Sequence, residues 1–248
     1  MAHESVYPEA IVQPVPELYQ TLVQFITRAA EKAPTPVIAL TGGTTPKAFY
    51  AWAINHPELF SSILARTTWT VSDERYLPTA DPESNFGNAA RLFFDPLGVP
   101  ESRRLTWPIG LPGKAAAVAY ETYLLQRVGQ NYTYDLCILG LGEDAHTASI
   151  FPGSPLIGTS LEHGFSSVEI ADNQRRLTIN PHGLARCKQI VVVVTGAKKA
   201  QAVRNVFEGP DDPVRYPGQL LLQFQEKVTF LLDPEAASLL TTKVVQRR

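Results

Sequence analysis

The feature that most constrains this chain is a repeated pattern, in which a short, continuous apolar run is followed by a turn and then by a helical segment. Strands that are apolar on both faces are typical of parallel sheets covered by helices on both sides. We therefore predict an α/β fold with a mostly parallel sheet and helices on both faces. The predicted strands are Val37–Leu40, Thr67–Val71, Asp135–Leu139, Gln189–Thr195 and Lys227–Leu232, and the predicted helices are Pro16–Ala33, Ala48–Ile54 and the segment from Gly196 to about Phe207.

Length and charge limit the class of protein. A chain of 248 residues can bury one sizeable core, and no low-complexity linker interrupts it, so we expect a single domain over residues 1–248. The formal net charge of −2 argues against the broad basic surface that non-specific nucleic-acid binding requires. The longest strongly apolar run, Ile190–Val194, is far too short to cross a bilayer. We expect no nucleic-acid or membrane partner, and the sequence leaves the oligomeric state open.

The amino-terminal residues and the cysteines bear on the cellular compartment. Residues 1–10 carry acidic residues and a proline where a secretory signal would carry basic residues followed by an apolar run. Cys137 and Cys187 each lie beside an apolar segment, which favours two buried, reduced thiols over a disulfide or a thiolate metal site. We therefore expect a cytoplasmic protein.

A glycine-containing turn, Thr41–Pro46 (TGGTTP), follows the first of the predicted strands. Gly42 and Gly43 would let backbone amides approach an anion, and the start of the next helix would add its positive partial charge. Thr44 and Thr45 would contribute hydroxyl donors. A phosphate suits this turn, although the same glycines also serve ordinary strand-to-helix turns.

Charged side chains follow two other predicted strands. Asp73 and Arg75 lie just beyond Thr67–Val71, at the sheet edge where α/β proteins bind ligands, although a solvated turn with a local ion pair is the alternative. Lys199 lies in the first turn of a predicted helix, where its charge opposes the helix dipole. An anionic ligand would explain that placement, and a solvated helical face is the alternative. Arg176 lies ahead of the valine-rich strand.

The residues that follow Asp135–Leu139 contain the strongest catalytic signal. A glycine turn delivers Asp144 and His146 two positions apart, so that a carboxylate and an imidazole can reach the same small space. Such a pair can perform general-base hydrolysis, in which Asp144 orients the imidazole and His146 takes a proton from water. The density of polar residues behind a buried strand favours this interpretation over a merely structural histidine.

Other catalytic signatures are absent from the sequence. There is no His, Cys and Asp cluster at metal-ligand spacing, no G-x-S-x-G elbow and no G-x-G-x-x-G motif, so we expect neither a metal nor a cofactor. The remaining histidines are interpreted as structural. They are His3, His56, His163 and His182.

Four motifs in one order resemble those of the 6-phosphogluconolactonase family. The most specific is the segment 139–153, LGLGEDAHTASIFPG. The others are Leu40–Pro46, Trp69 with Asp73-Glu74-Arg75 and Ser84-Asn85-Phe86, and Arg176-Leu177-Thr178 with Gly196–Ala200. The resemblance implies a Rossmann-like sheet with the active site at the strand ends, and a cofactor-free enzyme of the oxidative pentose phosphate pathway that hydrolyses 6-phospho-D-glucono-1,5-lactone.

The resemblance also implies roles for individual residues. His146 would be the general base and Asp144 its partner. Two positions depart from the family pattern, which usually has glycine where Ala145 stands and serine where Thr44 stands. Glycine often marks a backbone conformation that is costly for other residues. The residues implied to bind the sugar or its phosphate are Gly42, Gly43, Thr44, Thr45, Asp73, Arg75, Arg176 and Lys199.

Two other functions are compatible with this kind of fold. A glucosamine-6-phosphate deaminase or isomerase would have a glutamate five residues after the histidine, where this chain has Phe151. Phenylalanine cannot shuttle the proton that such a reaction requires. A sugar-phosphate-sensing regulatory domain would need a helix-turn-helix segment, for which we find neither a spare region nor a basic patch.

Overall fold

The computed structural model describes residues 9–128, 132–170 and 174–241. Six parallel strands form the main sheet in the order β1-β9-β8-β5-β2-β3. These strands are β1 (Glu9–Val12), β2 (Val37–Leu40), β3 (Thr68–Val71), β5 (Leu136–Leu139), β8 (Ile190–Val194) and β9 (Val228–Leu232). Every residue of β2, β3, β5, β8 and β9 is buried, which agrees with their continuous apolar sequences.

Helices cover the main sheet on both faces. The helices are α1 (Val15–Lys32), α2 (Thr44–Ala53), α3 (Asn85–Ala89), α4 (Asp95–Leu97), α5 (Gly113–Val128), α6 (Pro181–Ala185) and α7 (Ala200–Glu208), and a π-helical turn (Ala90–Phe94) joins α3 to α4. The chain advances one way along the sheet from β1 to β2 to β3 and the opposite way from β5 to β8 to β9. Right-handed connections therefore place α1 and α2 on one face and α7 on the other. The predicted α/β class, with a mostly parallel sheet, is confirmed.

A second, smaller sheet was not predicted from the sequence. It is antiparallel and has the order β4-β7-β6, formed by β4 (Asp73–Arg75), β7 (Arg175–Ile179) and β6 (Phe165–Glu169). β4 is only three residues long and consists of charged side chains, while β6 and β7 mix polar with apolar residues. None of them contains the continuous apolar run on which the strand predictions relied.

The predicted elements agree with the structure at their centres and differ at their ends. Helix α1 and strand β2 match the prediction to within one residue. Ser84 caps α3, with its hydroxyl accepting from the Gly87 amide 2.9 Å away. Helix α2 begins four residues earlier than predicted, at Thr44, so the polar turn is shorter and the helix reaches the sheet edge. Helix α5 was missed. That the whole chain folds as one domain remains a prediction.

Two further sequence expectations concern cysteines and membrane spans. Cys137 and Cys187 are both buried and free, as predicted. Among the described residues, no helix has the length and apolar character needed to span a bilayer.

Candidate active site

A cleft of about 480 Å³ lies at the carboxyl edge of the main sheet. The connections from β2 and β5 run in opposite directions there, and α/β sheets bind ligands at such a switch point. Nine of the ten predicted site residues line the cleft. The tenth, Asp144, contacts the lining residue His146. The lining comprises Thr41, Gly42, Gly43, Thr44, Thr45, Pro46, Asp73, Arg75, Asn85, Gly140, Leu141, Gly142, Glu143, His146, Ala148, Ser149, Phe151, Arg176, Val193 and Lys199.

The turn after β2 brings the start of helix α2 to the cleft. Gly43 has a φ of 110°, in the region that favours glycine, and it immediately precedes the first helical residue, Thr44. No side chain caps this end of the helix, so first-turn amides are available to an anion. Thr45 shares a 2.9 Å hydrogen bond between hydroxyls with Thr195, which links the turn to the end of β8.

The turn after β5 builds a histidine and carboxylate pair. Nδ1 of His146 lies 2.6 Å from Oδ1 of Asp144, and the same oxygen accepts from the His146 amide at 3.2 Å. The hydrogen bond to His146 lowers the pKa of the Asp144 carboxyl. An ionised Asp144 holds the Nδ1 proton and leaves Nε2 as the basic nitrogen.

The backbone of this turn is compact. Ala145 has a φ of 65° and is fully buried, and this φ lies in the region that favours glycine, the residue implied at this position by the resemblance. Its amide donates to the Gly142 carbonyl at 3.0 Å, and the Gly142 amide donates to the His146 carbonyl at 2.8 Å. These bonds fix the position from which His146 projects.

Phe151 stacks on the imidazole of His146. The two ring centroids are 4.3 Å apart and the rings are inclined by 32°. Phe151 therefore supplies an apolar surface against the proposed base. Its side chain cannot act as a second acid or base.

Two arginines face each other at the cleft. Arg75 on β4 and Arg176 on β7 are register partners in the antiparallel ladder, so both side chains lie on the same face. Burial lowers the pKa of Arg176, and the charge of Arg75 lowers it further. Like charges at directly opposed positions destabilise a ladder unless an anion compensates them. The arrangement fits an anion site.

The third cation is Lys199, at the end of a 3₁₀ turn (Ala197–Lys199) after β8. Its partly buried side chain has no ion pair with any described residue. The neighbouring Gly196 amide donates to both Asp233 carboxylate oxygens, at 3.0 and 2.9 Å, which fixes the turn that presents the lysine.

The carboxylates of β4 have different surroundings. Asp73 is buried at the cleft and accepts from the hydroxyls of Ser72 at 3.0 Å and Ser149 at 2.8 Å. Glu74 instead accepts four hydrogen bonds, three from residues 84–86 at the start of α3 and one from the Arg75 amide, and burial raises its pKa. Glu74 therefore supports the fold, and Asp73 is the carboxylate available to a ligand.

Sequence reasoning missed several residues of the cleft. Asn85 lies against Gly42, where an added Cβ atom would come within 1.9 Å of its Oδ1, and its Nδ2 donates to the Asp73 carbonyl. Ser149 and Glu143 also line the cleft. Asn85 and Ser149 were part of the motifs quoted above, but neither residue type is by itself a signal for a ligand.

The other histidines lie outside the cleft lining. His56 stacks on Trp52 at 4.2 Å, and Nδ1 of His163 lies 2.8 Å from Oε2 of Glu121. His182 lies in α6, and His3 falls outside the described residues. Within the described ranges, no group of three or more His, Cys, Asp or Glu side chains is arranged to hold a metal ion.

The chain is similar to known proteins in both sequence and structure. A family model described as glucosamine-6-phosphate isomerases/6-phosphogluconolactonase matches residues 12–230. The 6-phosphogluconolactonase of Synechocystis sp. is 32% identical over 216 residues, which cover 85% of this chain and 87% of the relative. The structure of 6-phosphogluconolactonase from Trypanosoma cruzi is 25% identical and superposes with a TM-score of 0.82 over 98% of this chain and 100% of that one. A monomeric glucosamine-6-phosphate deaminase, 24% identical, gives a TM-score of 0.79 over 94% of this chain and 100% of that one, and shows a shared fold.

The parallel sheet, its switch-point cleft and the cations around it define an α/β protein with a cation-lined cleft at the strand ends. The chain belongs to the glucosamine-6-phosphate isomerase/6-phosphogluconolactonase family, and it is an enzyme of that family.

Proposed function

We propose that this enzyme hydrolyses 6-phospho-D-glucono-1,5-lactone to 6-phosphogluconate, with His146 as the general base. The observation that carries the proposal is the 2.6 Å contact between His146 Nδ1 and Asp144 Oδ1, at a cleft that also holds Arg75, Arg176 and Lys199. An oriented base and a cluster of cations are what a phosphorylated ester requires from a hydrolase. The Synechocystis relative carries the name of this activity.

The proposed reaction begins at Nε2 of His146. This nitrogen takes a proton from water as the water oxygen bonds to the lactone carbonyl carbon. The bond between that carbon and the ring oxygen then breaks, and the imidazolium returns its proton to the departing ring oxygen. Asp144 stabilises the positive charge that the imidazole carries between the two steps.

The phosphate is the group through which the enzyme binds the substrate most strongly in this proposal. Arg75 and Arg176 offer guanidinium groups that match phosphate oxygens, and Lys199 adds a third positive charge. Binding energy from this remote group orients the lactone carbonyl against the water beside His146. The mechanism uses no metal, so we expect turnover to persist after thorough chelation with EDTA.

The deaminase reaction is the alternative on this fold. It requires an additional acid or base, and this chain has Phe151 at the position concerned, with its ring 4.3 Å from that of His146. We therefore expect no ammonia release from glucosamine 6-phosphate at a rate comparable to lactone hydrolysis.

A direct assay tests the proposal. Freshly prepared 6-phosphogluconolactone should be hydrolysed well above its spontaneous rate, and His146→Ala should lower kcat by about 10² to 10⁴-fold with KM within a few-fold. His182→Ala, which changes a histidine outside the cleft lining, is the matched control. Near-normal turnover by His146→Ala would overturn the assignment of the base.

A cytoplasmic location is also part of the proposal. It is supported by the two cysteines, Cys137 and Cys187, which are buried and not joined in a disulfide.

A further inference from the structure

Glu83 already supplies a negative charge to the proposed phosphate site. Its carboxylate Oε2 lies 3.3 Å from Nη1 of Arg75, and the same nitrogen donates to the Glu83 backbone carbonyl. The Arg75 side chain is 25% exposed and that of Glu83 is 69% exposed. The carboxylate can therefore leave Arg75 without losing a buried environment.

The backbone that carries Glu83 is held in place. Arg91 donates to the carbonyls of Thr79 at 3.1 Å and Asp81 at 3.2 Å, and Oδ1 of Asp81 accepts from the Glu83 amide at 2.8 Å. These bonds fix the Glu83 carbonyl against Arg75 and leave only the side chain beyond it free to rotate.

The charges around Glu83 explain why it pairs with Arg75. Arg75 and Arg176 are directly opposed across two antiparallel strands, and in the absence of a ligand their like charges need a compensating anion. The carboxylates of Asp73 and Glu74 interact favourably with Arg176, and that of Glu83 does so to a smaller extent. Glu83 is the carboxylate that pairs with Arg75. A substrate phosphate would bring its charge to the same two guanidinium groups.

We propose that Glu83 is an internal competitor for the phosphate site and thereby sets the affinity for phosphorylated ligands. The inference rests on the proposed function, because it takes Arg75 and Arg176 as phosphate ligands. A bound phosphate displaces the carboxylate from Arg75, which weakens substrate and product binding alike. Since the product retains the phosphate, this competition favours product release.

The test compares Glu83→Gln with wild type by calorimetric binding of 6-phosphogluconate at fixed ionic strength. Loss of the competing charge should tighten binding by about two- to ten-fold, and KM for the phosphorylated lactone should fall in parallel. Gluconate, which lacks the phosphate, should bind to Glu83→Gln no more tightly than to wild type. Glu83→Asp keeps the negative charge on a shorter side chain. Its affinity for 6-phosphogluconate should lie between those of wild type and Glu83→Gln.

Glu169→Gln is a matched control. Glu169 is 65% exposed and pairs at 3.0 Å with Arg175, which neighbours Arg176 but does not line the cleft. This variant changes the net charge equally and should leave 6-phosphogluconate binding unchanged.

The outcomes separate this inference from the proposed function. A wild type that neither hydrolyses the lactone nor binds 6-phosphogluconate would overturn both. If the wild type does both, three results would overturn the role of Glu83 alone. These are unchanged or weaker binding by Glu83→Gln, an equal gain with gluconate, and an equal gain in Glu169→Gln.

Discussion

Gly142 lies so close to His146 that no other residue fits at its position. A Cβ atom on Gly142 would be 2.1 Å from Nδ1 of His146 and 2.5 Å from Oδ1 of Asp144. These are the two atoms of the proposed catalytic hydrogen bond, and a side chain at position 142 would have to displace one or both of them. The glycine is thus required by the geometry of the pair.

The first prediction follows from this contact. Gly142→Ala should lower kcat by at least about ten-fold, because the methyl group forces apart the base and its partner, and small displacements at a catalytic group are costly. Steady-state kinetics would measure the loss. Gly110→Ala is the control, since Gly110 lies outside the cleft lining and a Cβ atom there would meet nothing within 4 Å. Equal kcat in the two variants would contradict the prediction.

The second prediction concerns Asp144. Asp144→Asn should lower kcat by about 10² to 10⁴-fold, because the amide can no longer hold the Nδ1 proton as a carboxylate does, and Nε2 loses its role as the basic nitrogen. KM should change little. A variant with near-normal kcat would show that Asp144 does not orient His146.

The same variant should alter the pH dependence of stability. The hydrogen bond to His146 lowers the pKa of Asp144 in the folded state, so its stabilising effect is present above the ordinary carboxyl pKa of about 3.9 and is lost as the pH falls through the lowered value. Because the side chain is 47% exposed, the effect should be within about 1 kcal/mol. Urea unfolding should find the wild type more stable than Asp144→Asn at pH 7. The difference between their free energies of unfolding should be smaller near pH 3.

The third prediction tests the cations. Replacing Arg75, Arg176 or Lys199 by alanine removes a charge-assisted contact worth about 1.5 to 3 kcal/mol, so kcat/KM for the phosphorylated lactone should fall by about ten-fold to somewhat over a hundred-fold. Unphosphorylated gluconolactone should be a poor substrate whose kcat/KM hardly changes. Arg175→Ala, outside the cleft lining, is the control. Equal losses on both lactones would argue against phosphate binding.

The fourth prediction concerns Ala145, whose φ of 65° is costly for a residue with a side chain. Ala145→Gly should retain activity and change the free energy of unfolding by no more than about 1 kcal/mol, because relief of the backbone offsets the lost buried methyl group. Ala145→Val adds a β-branched side chain at a fully buried position and should lower the free energy of unfolding by at least about 2 kcal/mol. Urea unfolding distinguishes the two, and equal stability would contradict the argument.

The sequence predicted those parts of the structure that depend on local pattern. Continuous apolar runs indicated the central strands, since a strand buried on both faces requires such a run, and all five predicted strands agree within one residue at each end. Most site residues could be named because their motifs follow a strand, and parallel strands end at one edge. Arg176, which lies within β7, was named from the family resemblance. Glu83 and the short strand β4 carried no comparable pattern.

What the sequence determined by itself is the order of five buried strands and of helices α1, α2 and α7, the turns that end these strands and the residue types those turns carry. Only the tertiary structure decided which side chains meet. The antiparallel register sets Arg75 opposite Arg176, and Asn85 reaches Gly42 from a helix 43 positions along the chain. Such contacts depend on the packing of segments that are distant in sequence. The pattern of residues within one segment does not predict which other segment it will contact.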